Sequence, residues 1–253
     1  MSEKQETIRM TYRTDIGSKR SENQDYIAHF ENQAGLVLVV LADGMGGHRA
    51  GNVASQMAAT DLGNLWQETD LTALNDIKHW LLTEIEVVNQ SIHEKGQEDD
   101  YRGMGTTIEA VVIYGHHVIY GHVGDSRIGH FHENHYEQVT SDHSLVNELV
   151  QAGQITEEEA AVHPQKNIIT QSIGQAHPVM VDVGVEILEA NDILVVNSDG
   201  LTNMVSTAEL EEVLRSSQTL DEKAQTLIDL ANQAGGLDNI SVVLVQAESE
   251  EEL

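Results

Sequence analysis

The chain contains no cysteine. That excludes every mechanism built on a thiolate nucleophile, cysteine-dependent phosphatases and thiol proteases included, and every zinc site built on sulfur. It also fits a reducing compartment. Proline is nearly absent, with Pro164 and Pro178 alone in 253 residues, and no Ser/Gly-rich linker interrupts the chain. One domain is therefore expected. Positive charge is scarce: 13 Lys and Arg face 42 Asp and Glu, for a net charge of −29. Nucleic acid and anionic membrane are poor partners for such a surface. The longest apolar run, residues 36–42, falls far short of the roughly 20 residues that cross a bilayer. The segment Met1–Thr7 lacks the apolar core of a signal peptide, so the expectation is a soluble, cytoplasmic protein.

What is present is strand and helix in blocks. Strand-like segments lie near 7–15, 25–31, 35–42, 104–114, 117–124, 127–132, 135–140, 179–187, 192–197 and 239–247. The short turns Tyr114-Gly115-His116-His117 and His132-Glu133-Asn134-His135 predict hairpins and antiparallel pairing. Helical spacing is clearest over 50–67, 71–95, 206–215 and 219–234, with Ser206 and Thr207 as candidate caps. Strands separated by two helical blocks, without strict βαβ alternation, predict an α+β layered fold of two antiparallel sheets with helix pairs outside. Residues 141–178 read as a flap, and 247–253 as an acidic tail that frays from a domain of residues 1–246. No internal repeats are evident.

Function is carried by aspartates where strands meet turns. Asp43 follows the apolar run 36–42 and opens Asp43-Gly44-Met45-Gly46-Gly47-His48; Asp199 follows Ile193–Ser198 and precedes Gly200. Asp125 ends Val118–Gly124, and Asp238 stands in Gly235-Gly236-Leu237-Asp238-Asn239 just before an apolar strand. Asp25 closes Arg20-Ser21-Glu22-Asn23-Gln24-Asp25. A single Asp-Gly pair is more often a turn than a ligand. Five such motifs together are harder to assign to chance, and converging carboxylates are costly unless cations neutralise them. An all-oxygen donor set suits magnesium or manganese rather than zinc or copper. The glycine-rich stretch 44–47 lacks the Lys-Ser/Thr ending of a P-loop. Ser198 lacks the Gly-x-Ser-x-Gly context of a nucleophile elbow and reads as a packing or hydrogen-bonding residue. The histidines at 116, 117, 122, 130, 132 and 135 read as solvated or hydrogen-bonded along strands.

From about Asp15 to Val245 the chain resembles the type 2C protein phosphatases of the metal-dependent PPM family, in their compact bacterial form. The resemblance rests on Asp15-x-Gly17-x-x-Arg20-x-x-Asn23-Gln24-Asp25, Asp43-Gly44-Met45-Gly46-Gly47-His48, Gly103-Met104-Gly105-Thr106-Thr107 and Gly124-Asp125-Ser126-Arg127. It continues through Thr140-x-Asp142-His143-Ser144, Ser198-Asp199-Gly200-Leu201-Thr202 and Gly236-x-Asp238-Asn239. It implies an αββα sandwich with a two-metal centre between the sheets. By this likeness Asp43 would bridge two Mn2+ or Mg2+ ions and the Gly44 carbonyl would serve the first. Asp199 and Asp238 would serve the second ion, and Asp125 with Asp199 would hold a third. Arg20 would grip the substrate phosphate, and Asp25 would orient water. Some relatives place a histidine acid directly after the Asp-Gly pair. Here Met45 stands there and His48 follows three residues later. Asn52 stands where relatives often carry glutamate.

The activity implied is a serine/threonine phosphatase in which a metal-bridging hydroxide attacks phosphorus directly. The leaving oxygen would take its proton from metal-bound water or from His48. The expected partners are phosphorylated proteins and an opposing bacterial Ser/Thr kinase, met by a monomer. A phosphatase of anti-sigma-antagonist-type regulators and a metal-binding pseudophosphatase are the alternatives. Retention of all five aspartates and Arg20 weighs against the second.

Overall fold

A computed structural model of the protein describes residues 8–46 and 50–247. In chain order the elements are β1 (Ile8–Asp15), β2 (Asp25–Glu31), β3 (Val37–Met45), α1 (Ala50–Gln67), α2 (Leu74–Lys95), β4 (Gly105–Thr106), β5 (Ile108–Tyr114) and β6 (His117–Val123). They continue with β7 (Arg127–His132), β8 (His135–Gln138), α3 (Leu145–Gln151), α4 (Glu157–Ala161), β9 (Asp182–Ile187), β10 (Ile193–Asn197), α5 (Asp199–Thr202), α6 (Thr207–Arg215), α7 (Leu220–Gln233) and β11 (Ile240–Ala247).

The strands form two antiparallel sheets. One runs β1-β11-β10-β7-β8; the other runs β2-β3-β5-β6-β9, with β4 added to β3. Both expected hairpins form: Tyr114 pairs His117 and His132 pairs His135. Glu133 and Asn134 take positive φ of 49° and 65°, the twist a tight hairpin needs.

Three apolar layers explain the stacking. Leu38, Val40, Ala42, Ala110 and Val112 of the second sheet pack with Ala54, Ala58, Leu62, Trp66, Leu81 and Ile85 of α1 and α2. Val195, Val242 and Leu244 pack with Leu210, Leu214, Leu227 and Ile228 of α6 and α7. Between the sheets lie Val39, Leu41, Val111, Ile128, Leu194, Val196, Val243 and Val245. Alternate residues of β3, β5, β10 and β11 thus serve different layers, which is why these strands are apolar on both faces. Each fully buried Leu, Ile or Val contributes about 1.5–3 kcal/mol. Ser206 and Thr219 cap the N-termini of α6 and α7 with reciprocal capping boxes through Glu209 and Glu222. No helix among the described residues is long and apolar enough to cross a membrane.

Several boundaries differ from the sequence expectation, among them the end of β8 at Gln138 and the start of α2 at Leu74. β3 runs through Asp43 and Gly44 to Met45 because β4 supplies it a partner there. The expected strand 104–114 divides at Thr107, and the last expected strand before β10 starts only at Asp182. Within 141–178 the chain forms α3 and α4 and returns through isolated bridges Ser144↔Ile169 and Thr106↔Ile173.

Candidate metal-dependent active site

Strand direction gathers the aspartates at one end of the sandwich. Asp25 begins β2 and pairs in register with Asp43 near the end of β3. Asp199 follows β10 and Asp238 precedes β11, while Asp125 stands in the turn from β6 to β7. The sheets are joined here by side chains. Ser198 Oγ donates to Asp25 Oδ2 at 2.7 Å, Gln24 N donates to Asn239 Oδ1 at 2.8 Å, and the Thr107 and Ser126 hydroxyls meet at 2.8 Å.

The main chain of Asp43 is fixed by the two threonines. Its N–H donates to Thr107 Oγ1 at 3.0 Å, and its carbonyl accepts from Thr107 N at 2.9 Å and Thr106 Oγ1 at 2.8 Å. Gly44 is required by crowding. A Cβ there would fall 2.1 Å from the Gly51 carbonyl oxygen and 2.7 Å from that of Gln24. Reciprocally, a Cβ on Gly51 would lie 2.8 Å from the Gly44 oxygen, so glycine at both positions is what lets the two backbones approach this closely.

The carboxylates disturb one another. Burial, and then the charges of Asp25, Asp199, Asp125 and Asp238, push Asp43 well above the ordinary range. Burial raises Asp25 to about 6, against the lowering effect of its Ser241 and Ser198 contacts. Burial and then Asp238 raise Asp199 to about 6; burial and then Asp199 and Asp142 raise Asp125 to about 7. Asp25 Oδ1 is buried without a protein partner. A cation, or water held by one, satisfies such an atom, and the all-oxygen donor set fits a hard divalent ion. Asp238 is engaged on both oxygens, with Arg20 Nη2 at 2.6 Å and Asn239 N at 2.8 Å.

Asp125 and Asp199 face a cleft of about 800 Å³ that is also lined by Arg127, Asp142, Asn147 and Lys166. Of the sequence candidates, Arg20, Asp25, Asp43, Gly44, Asp125, Asp199 and Asp238 lie in this region, whereas His48 falls outside the described residues. Ligand atoms from three residues come within 4.8 Å of one another only at His122, His143 and Asp182 among the described residues. Among the described residues no three of the five aspartates bring ligand atoms all within that distance of one another.

Two residues here went unassigned in the sequence. Asp142 accepts from Arg127 Nε at 3.0 and 3.2 Å and from Nη2 at 2.7 Å. Glu109 is fully buried against His122. A lone acid inside the apolar run Ile108–Ile113 was the signal that could have found it.

A family model described as protein phosphatase 2C matches residues 17–234. Protein phosphatase PhpP of Streptococcus pneumoniae is 54% identical over 238 residues, 94% of this chain and 97% of that protein. The serine/threonine phosphatase of S. agalactiae superimposes with a TM-score of 0.94 at 62% identity, covering 96% of this chain and all of that one. The catalytic domain of the phosphatase PstP, solved in complex with 2 manganese ions, has a TM-score of 0.82 at 32% identity and covers 96% and 99%.

Proposed function

The chain belongs to the protein phosphatase 2C family and is a metal-dependent serine/threonine protein phosphatase; from that premise we propose that the carboxylate cluster shared by the two sheets is its active centre. Asp43, the Gly44 carbonyl, Asp199 and Asp238 would hold two manganese or magnesium ions, and Asp125 with Asp199 a third. The manganese pair of the PstP catalytic domain supports the count of two. When bound, such ions supply an activated water and offset the charge of the phosphoryl group.

The protein's own groups do the positioning. Asp25, anchored by Ser198, directs its partnerless Oδ1 as an acceptor for the attacking water. Arg20 reaches the cluster, as its 2.6 Å contact with Asp238 demonstrates, and its guanidinium can fork onto two phosphate oxygens. The cleft beside Asp125 and Asp199 receives the main chain that carries the phosphoserine or phosphothreonine. Residues 141–178 wall that cleft as a flap on a catalytic domain of residues 1–246. The substrates are phosphoproteins; we assign the enzyme the role of opposing a Ser/Thr kinase, as a cytoplasmic monomer.

The observation that carries this reading is the buried, partnerless oxygen of Asp25 beside carboxylates that raise one another's pKa. Asn in place of Asp43, Asp199 or Asp238 tests it. Each should lower turnover of an aryl phosphate by about 10³-fold at saturating manganese while the protein still melts cooperatively. Near-wild-type kcat in any of the three would displace that residue from the centre.

A further inference from the structure

The Glu109–His122 pair lies beneath the start of the 141–178 segment, on the strands that lead to Asp43 and Asp125, and no step above uses it. Glu109 on β5 and His122 on β6 are cross-strand partners, both with fully buried side chains. His122 Nδ1 meets Glu109 Oε1 at 2.6 Å, and its Nε2 donates to the Ser141 carbonyl at 3.1 Å. One proton is shared between ring and carboxyl, so the pair is neutral as a unit. Burial raises Glu109 to about 7. Burial also opposes a charge on His122, but the carboxylate outweighs it and lifts the ring to about 9.

Above the pair runs the strap Ser141–Ser144. The His143 ring packs against His122, tilted by 36° with centroids 4.6 Å apart. His143 N donates to the Gly124 carbonyl at 2.7 Å, and Gly124 N donates back to His143 Nδ1 at 3.1 Å. Asp142 grips Arg127 through three contacts. Consecutive strap residues therefore hold the residue before Asp125 and the second residue after it. His143 Nε2 donates to Asp182 at 3.2 Å. With Nδ1 accepting and Nε2 donating, the neutral ring keeps no lone pair for a metal, so His122, His143 and Asp182 form a clasp and not an ion site.

We propose that Glu109 and His122 are positioning residues for the phosphatase reaction, fixing the strap whose Asp142 and His143 bracket Asp125. Glu109 Oε2 has no protein partner, so removing His122 alone would strand a buried carboxyl. The decisive variant is therefore the double replacement Glu109→Leu with His122→Phe, because an apolar pair of similar volume commonly preserves folding. Glu109→Gln is its control: the amide can donate to Nδ1 and leave Nε2–H on Ser141, keeping every hydrogen bond.

The proposal rests on reading Asp125 as a cation ligand, and two measurements separate the claims. Hydrogen exchange reads the strap; calorimetric titration with Mn2+ reads the weakest bound ion. In the double variant the amides of residues 142–144 should exchange about tenfold faster, and the weakest Mn2+ constant should weaken by about tenfold or more. Glu109→Gln should match wild type in both. A folded double variant with wild-type exchange and Mn2+ binding overturns the proposal, as does a Glu109→Gln protein damaged equally. Should the double variant not fold, wild-type exchange decides: protection of His143 no greater than that of the exposed turn at 152–154 also overturns it. If Asp125→Ala binds Mn2+ as wild type does, the cation reading of Asp125 fails on its own, and the exchange result still judges the strap.

Discussion

Ser198 bridges the two sheets at the end that carries the proposed centre: its Oγ donates to Asp25 Oδ2 at 2.7 Å while accepting from Ser241 N at 3.0 Å. Both contacts are buried, and Asp25 Oδ1 has no protein partner to compensate for a loss. Ser198→Ala should therefore destabilise the protein by about 1–3 kcal/mol and lower kcat about tenfold, through a misdirected Asp25 rather than a lost nucleophile. Thermal melting and steady-state kinetics on one sample check this. A Ser198→Ala enzyme with neither a lower Tm nor a lower kcat would remove Ser198 from the positioning of Asp25.

The raised carboxyls set the pH dependence of the metal-free protein. Asp25 and Asp199 titrate near 6 and Asp125 near 7, against 3.8 for an ordinary aspartate. The folded state thus binds more protons than the unfolded state between those limits. The stability these groups contribute is fully present below pH 3.8 and is lost as pH rises through about 6 to 7. In the presence of a chelator, their share of the melting profile should fall across that window. Manganese should reverse the trend, raising Tm most above pH 7, where the ligands are ionised, and little near pH 5. A manganese-induced rise in Tm equal at pH 5 and pH 8 would contradict the assignment.

Much of this arrangement was legible in the sequence because burial on both faces leaves predominantly apolar strands, and β3, β5, β10 and β11 are of that kind. The hairpins were legible for the same local reason, since Gly115 and the Glu133-Asn134 pair are turn residues whatever surrounds them. What could not be read locally was pairing between distant segments. Asp43 looked like the residue after a strand, yet it lies within β3 because Gly105 and Thr106 pair with its neighbours Met45 and Gly44. Glu109 carried no reading from the sequence, and its role appears only where β6 places His122 opposite it. The carboxylates of the proposed centre were singled out by motif. Their supports, Ser198, Thr107 and Asp142, act across sequence separations of 173, 64 and 15 residues, and only the fold reveals what they hold.

Arg20 has a partner that its substitution would release. Its Nη2 lies 2.6 Å from Asp238 Oδ2, and both groups are partly exposed, so the pair itself adds little stability. Arg20→Ala should raise KM and lower kcat together, because the phosphate is bound in the ground state and more tightly in the transition state. Arg20→Lys should recover only part, since an ammonium lacks the paired donors. Steady-state kinetics with an aryl phosphate decide it. Full equivalence of Lys and Arg would leave a point charge as the whole role.

Asp125 should behave unlike the other aspartates. A structural role would have it cap the β6–β7 turn and pair with Arg127. The geometry weakens the second half of that account, because Arg127 gives its Nε and Nη2 to Asp142 at 2.7–3.2 Å and acts on Asp125 only through its charge, which lowers the Asp125 carboxyl without offsetting its burial. Asp125 instead faces the cleft with Asp199. Burial and the charges of Asp199 and Asp142 raise it to about 7, so it is held where its own negative charge is costly. A cation held by Asp125 and Asp199 at the cleft would relieve that cost, and it would be a different ion from the two assigned to Asp43, Asp199 and Asp238 in the proposed centre. Asp125→Ala should therefore retain two manganese equivalents, lose the weakest, and lower kcat by about 10- to 100-fold. A phosphopeptide, which must occupy the cleft, should suffer more than a small aryl phosphate. Titrating manganese against activity for both proteins is the test. Superimposable curves with equal kcat would leave Asp125 a turn residue and the centre with two ions.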